Sequence, residues 1–355
     1  MVSTYRWRRS LLIFKNASLA EMQRVTTLGS TTIVLPIDLG SRPIDIILKA
    51  LRICRVGEIH GWRIVIGLAA RKIWPEIIFK KIIGKFSNTS IIEVPHSGPV
   101  NNARLRNIAC RSALSDYLIL LDVDIWPDPD LFAKYKNKIA NGELDFVFIP
   151  CMYLSRHGSK RLISVRDPKN LRDRYFKFSR KEFLHLANPS SVTIMRSQDF
   201  SLLDGFDEQF EGHGYEDFDF MLRLAGLYNS LTECGNILDA TTARSPLFPT
   251  GFRRALGRLC LPLLLDKDMA FHLYHDTPKG TEYYTARQGN LQRFLTQHQH
   301  LRSTHPESST LIEDFLDLCR LKNLDYKDYS ALFENKPGHI DRFDTFKRRL
   351  RFLLK

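Results

Sequence analysis

Six cysteines are spread over 355 residues, at positions 54, 110, 151, 234, 260 and 319, with no CxxC pair and no zinc-finger spacing. That scatter excludes a disulfide framework and a cysteine-rich metal knuckle, and the thiols are expected to be reduced and structural, as in a cytosolic protein. Long apolar runs are missing too, since each ends in charge well before the roughly 18 residues that a membrane span requires. The run from Leu11 to Phe14, behind the basic Arg6, Arg8 and Arg9, is too short for the core of a secretory leader. Without a secretory route the sequons Asn16-Ala17-Ser18 and Asn88-Thr89-Ser90 carry no meaning. There are no internal repeats. Nor is there an aromatic-interleaved basic stripe or a recognisable nucleic-acid module, so nucleic acid is not an expected partner.

What the chain does have is a core and a positive charge. Hydrophobic residues make up 44%, enough for one large α/β domain with appended elements, and the formal net charge is +13. The surplus favours anionic partners in general, such as a phosphorylated small molecule or an anionic membrane surface, without choosing among them. The segment from Phe343 to Leu354 interleaves Phe346, Leu350 and Leu353 with Lys347, Arg348, Arg349 and Arg351, a basic amphipathic helix suited to a membrane surface, or simply a solvated helix face.

The pattern along the chain is strand, loop, helix, repeated. Thr31 to Pro36 is a β-branched run stopped by proline, then a polar loop from Asp38 to Arg42, then helical spacing from Ile44 to Val56. Trp62 to Gly67 and Ser90 to Pro95 repeat the strand signal, each after a helical stretch. This alternation predicts a mostly parallel βαβ sheet. Asn101 to Ala113 reads as a helix that delivers the chain to Tyr117-Leu118-Ile119-Leu120-Leu121, a continuous apolar run of the kind buried on both faces. Further strands are expected at Phe146 to Pro150 and Val192 to Met195, and helices from Leu131 to Ile139 and Glu216 to Ala225. Between them, Ser155 to Lys181 reads as a long irregular basic loop over the substrate. Residues 1–30 are expected to be a lead-in, 31–285 the main domain, and 286–355 a polar helical extension.

Three constellations carry chemistry. The first is Asp122-Val123-Asp124, directly after the buried strand and so beyond its carboxyl end, where ligands of open α/β sheets bind. Two carboxylates at i and i+2 suit Mg²⁺ or Mn²⁺ shared with phosphate oxygens; such a pair also serves as ordinary turn chemistry ahead of a helix. A calcium loop is excluded, because the positions that would need Gly and Glu hold Pro127 and Ala133. The second constellation is Gly212-His213-Gly214-Tyr215-Glu216-Asp217, with acids in the first turn of a helix, where the dipole also favours them. The third is Phe271-His272-Leu273-Tyr274-His275-Asp276. Read as a strand, it sends His272 and His275 to opposite faces, so that one of them faces a site.

Pro36 with Asp38 and Arg42, the Asn102 to Ala109 segment, the LLDVD strand end and GFDEQFEGHGYEDFDFMLRL together resemble the GT-A glycosyltransferases over residues 31–285. The similarity is to family 2-like enzymes of the bacterial capsule and chondroitin type and to the C-terminal region of β-1,4-galactosyltransferases, from which Tyr215 departs where a glycine is common. The resemblance implies a mixed, Rossmann-like sheet flanked by helices, and a hexosyltransferase using a nucleotide sugar, UDP-linked, with Mn²⁺ or Mg²⁺. It implies that Pro36, Asp38 and Arg42 border the uridine, Asp122 the ribose, and Asp124 the metal, with His272 or His275 as a further metal ligand. Glu216 would contact the glycan acceptor and Asp217 would be the general base of an inverting transfer. Arg106, with Arg104, Arg166, Arg172, Arg174 and Lys177, would meet the diphosphate or an acidic glycan. The product would be a capsule or other surface polysaccharide, made in the cytoplasm or at the inner face of the membrane. Two other readings fit parts of the pattern: a nucleotidyltransferase, and a non-catalytic polyanion binder.

Overall fold

The computed structural model describes residues 29–96, 98–179, 181–212, 214–231, 236–243, 245–276, 286–301 and 310–333. The lead-in as far as residue 28, His213, and the basic segment 343–354 lie outside the described residues.

Four parallel strands form most of a six-stranded sheet: β1 (Thr31–Ile37), β2 (Arg63–Ala70), β3 (Thr89–Pro95) and β4 (Tyr117–Leu120). The remaining two join by antiparallel pairing. β8 (Thr193–Arg196) pairs with β4, and β5 (Val147–Phe148) pairs with β8, giving the order β3-β2-β1-β4-β8-β5. The sheet is therefore mixed, as the resemblance implies. Strand alternation splits the core in two. Ile33, Leu35 and Ile37 face helices Pro43–Ile59, Trp74–Ile83 and Pro129–Ala140, whereas Val34 faces helices Asn102–Arg111 and Glu216–Leu227. A second sheet of three strands, β7-β6-β9 (β6 Cys151–Leu154, β7 Phe183–Ala187, β9 Ala270–His272), has its own core of Met152, Leu154, Tyr175, Phe183, Leu264 and Phe271.

Three expectations need correction. β1 does not stop at Pro36 but runs to Ile37. β4 pairs with β1 only as far as Val34, so the missing N–H of Pro36 interrupts no ladder on that side. The stretch from Ser155 to Lys181 is not an irregular loop; it holds two helices, Arg156–Val165 and Pro168–Phe176, capped by the side chains of Ser155 and Asp167. Their apolar residues Leu162, Leu171 and Tyr175 are buried against the second sheet. The strand expected at Phe146 to Pro150 is only two residues long, and the chain turns there into β6 of the second sheet.

The described part of 286–355 packs onto this core. Phe294 of helix Arg287–Gln297 meets Tyr215 and Phe252, and Phe315 of helix Ile312–Leu321 joins the core of the second sheet. Among the described residues five cysteines are buried and unpaired, as expected of structural thiols. Among the described residues no helix is long and apolar enough to cross a membrane.

Candidate active site

Backbone pairing brings the first and third constellations together. After β4 the chain turns, with Ile125 N–H donating to the Asp122 carbonyl at 3.0 Å. It then runs against β9: Leu273 N–H donates to the Asp124 carbonyl and Trp126 N–H to the Phe271 carbonyl, both at 2.8 Å, and Ile125 bridges His272. Asp124, His272 and His275 thus converge, each offering one ligand atom within 4.8 Å of the others. Both histidines face the site, against the expectation of one. The strand ends at His272, so the alternation that would send His275 to the far face no longer applies.

The imidazoles are oriented as ligands. Nδ1 of His272 lies 2.9 Å from the Leu273 carbonyl, and Nδ1 of His275 lies 3.2 Å from that of Asp276. A carbonyl accepts only, so in the neutral rings Nδ1 carries the proton and Nε2 offers its lone pair. His275 Nε2 lies 3.5 Å from Asp124 Oδ2. Burial pushes His272 down to about 4, which outweighs the Asp124 charge and keeps the ring neutral at physiological pH. Its plane is held by a ring ladder across the second sheet, in which Tyr153 stacks on His272 at 4.1 Å and on His185 at 4.2 Å. One carboxylate oxygen with two imidazole nitrogens is a donor set that a divalent first-row cation accepts.

Asp124 is buried and ionised. Burial opposes the charge, but the Arg42 fork, at 3.1 and 2.9 Å, holds the carboxyl well below its usual range. Lys49 donates to the same carboxylate at 2.6 Å. Arg42 sits in the left-handed region at φ 54° ahead of helix Pro43–Ile59, and Lys49 lies on that helix's inner face. Pro36 stands at the carboxyl end of β1 and Asp38 just beyond it. Asp38 is clamped by Arg71 at 2.6 and 2.8 Å and accepts from Gly40 N–H at 2.9 Å.

The acidic loop gathers on one buried arginine. Helix Asn102–Arg111 lies close on β2 because position 67 is glycine: a Cβ there would stand 2.2 Å from the Leu105 carbonyl. The same helix pins the loop ahead of Glu216, with Asn107 donating to the Phe206 carbonyl and Glu208 at 2.9 Å and accepting from Phe206 N–H at 2.8 Å. Arg106 on its inner face donates to Asp217 at 2.8 Å and Asp122 at 2.7 Å, and lies 3.6 Å from Glu216. Ser191 donates to the other Asp122 oxygen at 2.8 Å. Three carboxylates thus share one fixed cation. Burial and then the Asp217 charge push Glu216 up to about 8, and its Oε2 is buried without a hydrogen-bond partner. Burial also raises Asp217, with Arg106 opposing and Asp122 adding to the shift. Tyr215, at φ 75°, adopts a conformation that costs an ordinary residue about 1–3 kcal/mol. Its ring packs against Phe218, Phe252 and Phe294, which offsets that cost.

The other basic residues divide. Arg172 is not at this site; it is buried in a pair with Asp128 and donates to the Met269 carbonyl, a structural role. Arg174 pairs with Glu182, and Arg104, Arg166 and Lys177 are exposed. Lys49, Arg71, Ser191 and Tyr153 were not singled out from the sequence. For Lys49 the signal was available: with Ile46, Ala50 and Ile53 it falls on the apolar stripe of its helix, where an unpaired lysine is not tolerated.

No curated protein matches the chain. It is similar to S. aureus TarS (residues 1–349) in complex with UDP, at 18% identity over 55% of each chain with a TM-score of 0.37. It is also similar to the catalytic domain of Drosophila beta1,4galactosyltransferase 7 in complex with xylobiose, at 15% identity over 55% of this chain and 60% of that one, with a TM-score of 0.30. A mutant of the Drosophila enzyme in complex with manganese, UDP-Gal and xylobiose is similar to the same extent. The chain spans little more than half the length of these structures. The sequence profile described as "Glycosyltransferase like family 2" matches residues 78–300, more than half of the chain and all of the site from Arg106 to His275, so this protein belongs to that family.

Proposed function

We propose that the protein is an inverting, Mn²⁺- or Mg²⁺-dependent transferase that moves a sugar from a UDP-linked donor to a hydroxyl of a growing glycan, in the synthesis of capsule or another surface polysaccharide. The observation that carries this reading is the adjacency of two unlike sites. Asp124, His272 and His275 offer a cation three ligands, and two residues back along the chain Asp122 joins Asp217 and Glu216 on Arg106. A divalent cation held by Asp124, His272 and His275 would supply Lewis-acid stabilisation of the departing diphosphate. Pro36, Asp38 and Arg42 would border the nucleotide, with Arg71 fixing Asp38, and Asp122 would meet the ribose. Asp217 takes the proton of the attacking hydroxyl. Its raised pKa makes it a stronger base than an ordinary aspartate, while Arg106 keeps a share of it ionised. Glu216 hydrogen-bonds an acceptor hydroxyl through its unpartnered oxygen, leaving the transferred proton to Asp217. One base on one side gives a single displacement and hence inversion.

Residues 31–285 serve as the catalytic unit in this reading, and 286–355 as an extension docked on it. Attachment to the inner face of a membrane is supported by a surface on the nucleotide side. Ile44 (70% exposed), Leu48, Trp74 (67%), Ile77 and Ile78 form one apolar patch across two neighbouring helices, rimmed by exposed Lys72 and Lys81. An apolar patch with a tryptophan and a cationic rim fits an anionic lipid surface. The test of the activity is incubation with a panel of UDP-sugars and Mn²⁺. Release of UDP, abolished by chelation, is expected; no UDP from any donor, with pyrophosphate released instead when UTP and a sugar 1-phosphate are supplied, would mark a nucleotidyltransferase.

A further inference from the structure

The carboxylate that would ligate the cation already has two cations of its own. Lys49 Nζ donates to Asp124 Oδ1 at 2.6 Å, and Arg42 spans both oxygens at 3.1 and 2.9 Å. Both are tied back to Asp45, Arg42 at 2.7 Å and Lys49 at 2.9 Å, and Lys49 also reaches the Tyr274 carbonyl at 3.3 Å. Lys49 is only 6% exposed, so its ammonium cannot leave for solvent without opening the helix packing. The Arg42 and Lys49 cations balance the Asp45 and Asp124 carboxylates to which they are bonded. A divalent ion at Asp124, His272 and His275 would add two positive charges beside the Arg42 and Lys49 cations, which already stand at ion-pair distance from Asp124. Diphosphate supplies the missing negative charge, and ammonium and guanidinium are the side chains that bind phosphate oxygens.

We propose that Lys49 and Arg42 form a diphosphate-binding pair, and that metal and nucleoside diphosphate therefore enter and leave this site together, each binding much more weakly alone. The proposal rests on the nucleotide-sugar reading of the site. On binding, the two cations exchange Asp124 oxygens for phosphate oxygens, and Asp45 keeps them in place while Asp124 is released to the metal. Coupling of this kind is reciprocal, so nucleotide must raise metal affinity by the factor by which metal raises nucleotide affinity.

The test counts free Mn²⁺ by electron paramagnetic resonance and requires no turnover. For the wild type, saturating UDP is expected to tighten Mn²⁺ binding by about tenfold or more, within the usual range of such couplings. Lys49→Met, which keeps the apolar stem, is expected to bind Mn²⁺ alone more tightly than the wild type and UDP more weakly, with the coupling factor falling towards one. Lys49→Arg should retain the coupling. Equal Mn²⁺ affinity with and without UDP in the wild type would overturn the proposal, and that measurement decides even if Lys49→Met does not fold. Unchanged Mn²⁺ affinity and undiminished coupling in a folded Lys49→Met would overturn it as well. Indistinguishable Mn²⁺ binding by wild type and Asp124→Asn in the presence of UDP is a different failure: it removes the metal site, and with it the reading on which the proposal rests.

Discussion

Asp122 and Asp124 stand two residues apart on one turn, yet their surroundings are opposite. Asp124 has an arginine, a lysine and two imidazoles around it, and is held ionised well below the usual carboxylate range. Asp122 shares its single arginine with Asp217 and Glu216, and on that side the pKa values of Glu216 and Asp217 rise. The same residue type is thus given two tasks by its neighbours. The cation-rich half keeps a fixed negative charge for a metal and has positive charge to spare for a diphosphate. The carboxylate-rich half keeps groups whose protons can move.

Breaking the second half should have the largest effect on the fold. Arg106 is buried and is the shared counter-ion of three carboxylates. Arg106→Met should lower unfolding stability by about 3–5 kcal/mol, the usual cost of stranding a buried ion-pair partner, as read by urea denaturation. A loss below about 1 kcal/mol would mean that the carboxylates do not depend on it. Breaking the first half should act on metal binding instead. His272→Ala and His275→Ala should each weaken Mn²⁺ binding in the presence of UDP by at least about tenfold, since each removes a ligand and not merely an orienting partner. If only one of them does so, the other imidazole is a bystander.

A smaller effect separates the halves by pH. The folded-state pKa of Glu216 is raised, so its contribution to stability is fully present below its unfolded value near 4.5 and is lost as pH rises through about 8. Glu216→Gln, which cannot ionise, should therefore gain on the wild type by a few degrees in Tm between pH 5 and pH 9. A constant difference over that window would place Glu216 outside the proton-holding half. The smallest change is expected at the surface, where Trp74→Ser combined with Ile77→Ser should reduce sedimentation with phosphatidylglycerol vesicles and leave Tm unchanged. Undiminished binding would detach the apolar patch from membrane attachment.

Much of this contrast was legible in the sequence, because burial writes itself into hydrophobic period. The continuous run Tyr117 to Leu121 marked a strand closed on both faces, and the turn at the carboxyl end of such a strand is where an open α/β sheet meets its ligand. The helix from Glu216 was legible from its acidic first turn and the spacing of Met221, Leu222 and Ala225. Long-range pairing was not. Nothing in the local pattern says that residues 124–126 run against residues 271–273, which is what places both histidines on Asp124. Helices Arg156–Val165 and Pro168–Phe176 were hidden because their few apolar residues are diluted by charge, although the caps Ser155 and Asp167 were there to read. Lys49 and Arg106 share a signal worth keeping, a cation on the inner stripe of a helix, which requires a buried acid opposite it.

The division of labour is tested most directly by Mn²⁺-dependent UDP binding, measured calorimetrically for the wild type, Asp124→Asn and Asp217→Asn, beside sugar transfer by the same samples. Asp217→Asn is expected to bind UDP with Mn²⁺ as the wild type does while transfer falls by about 10²–10⁴-fold, and Asp124→Asn is expected to lose the Mn²⁺-dependent part of binding. Retained transfer by Asp217→Asn, or Mn²⁺-dependent UDP binding that survives Asp124→Asn, would contradict that division.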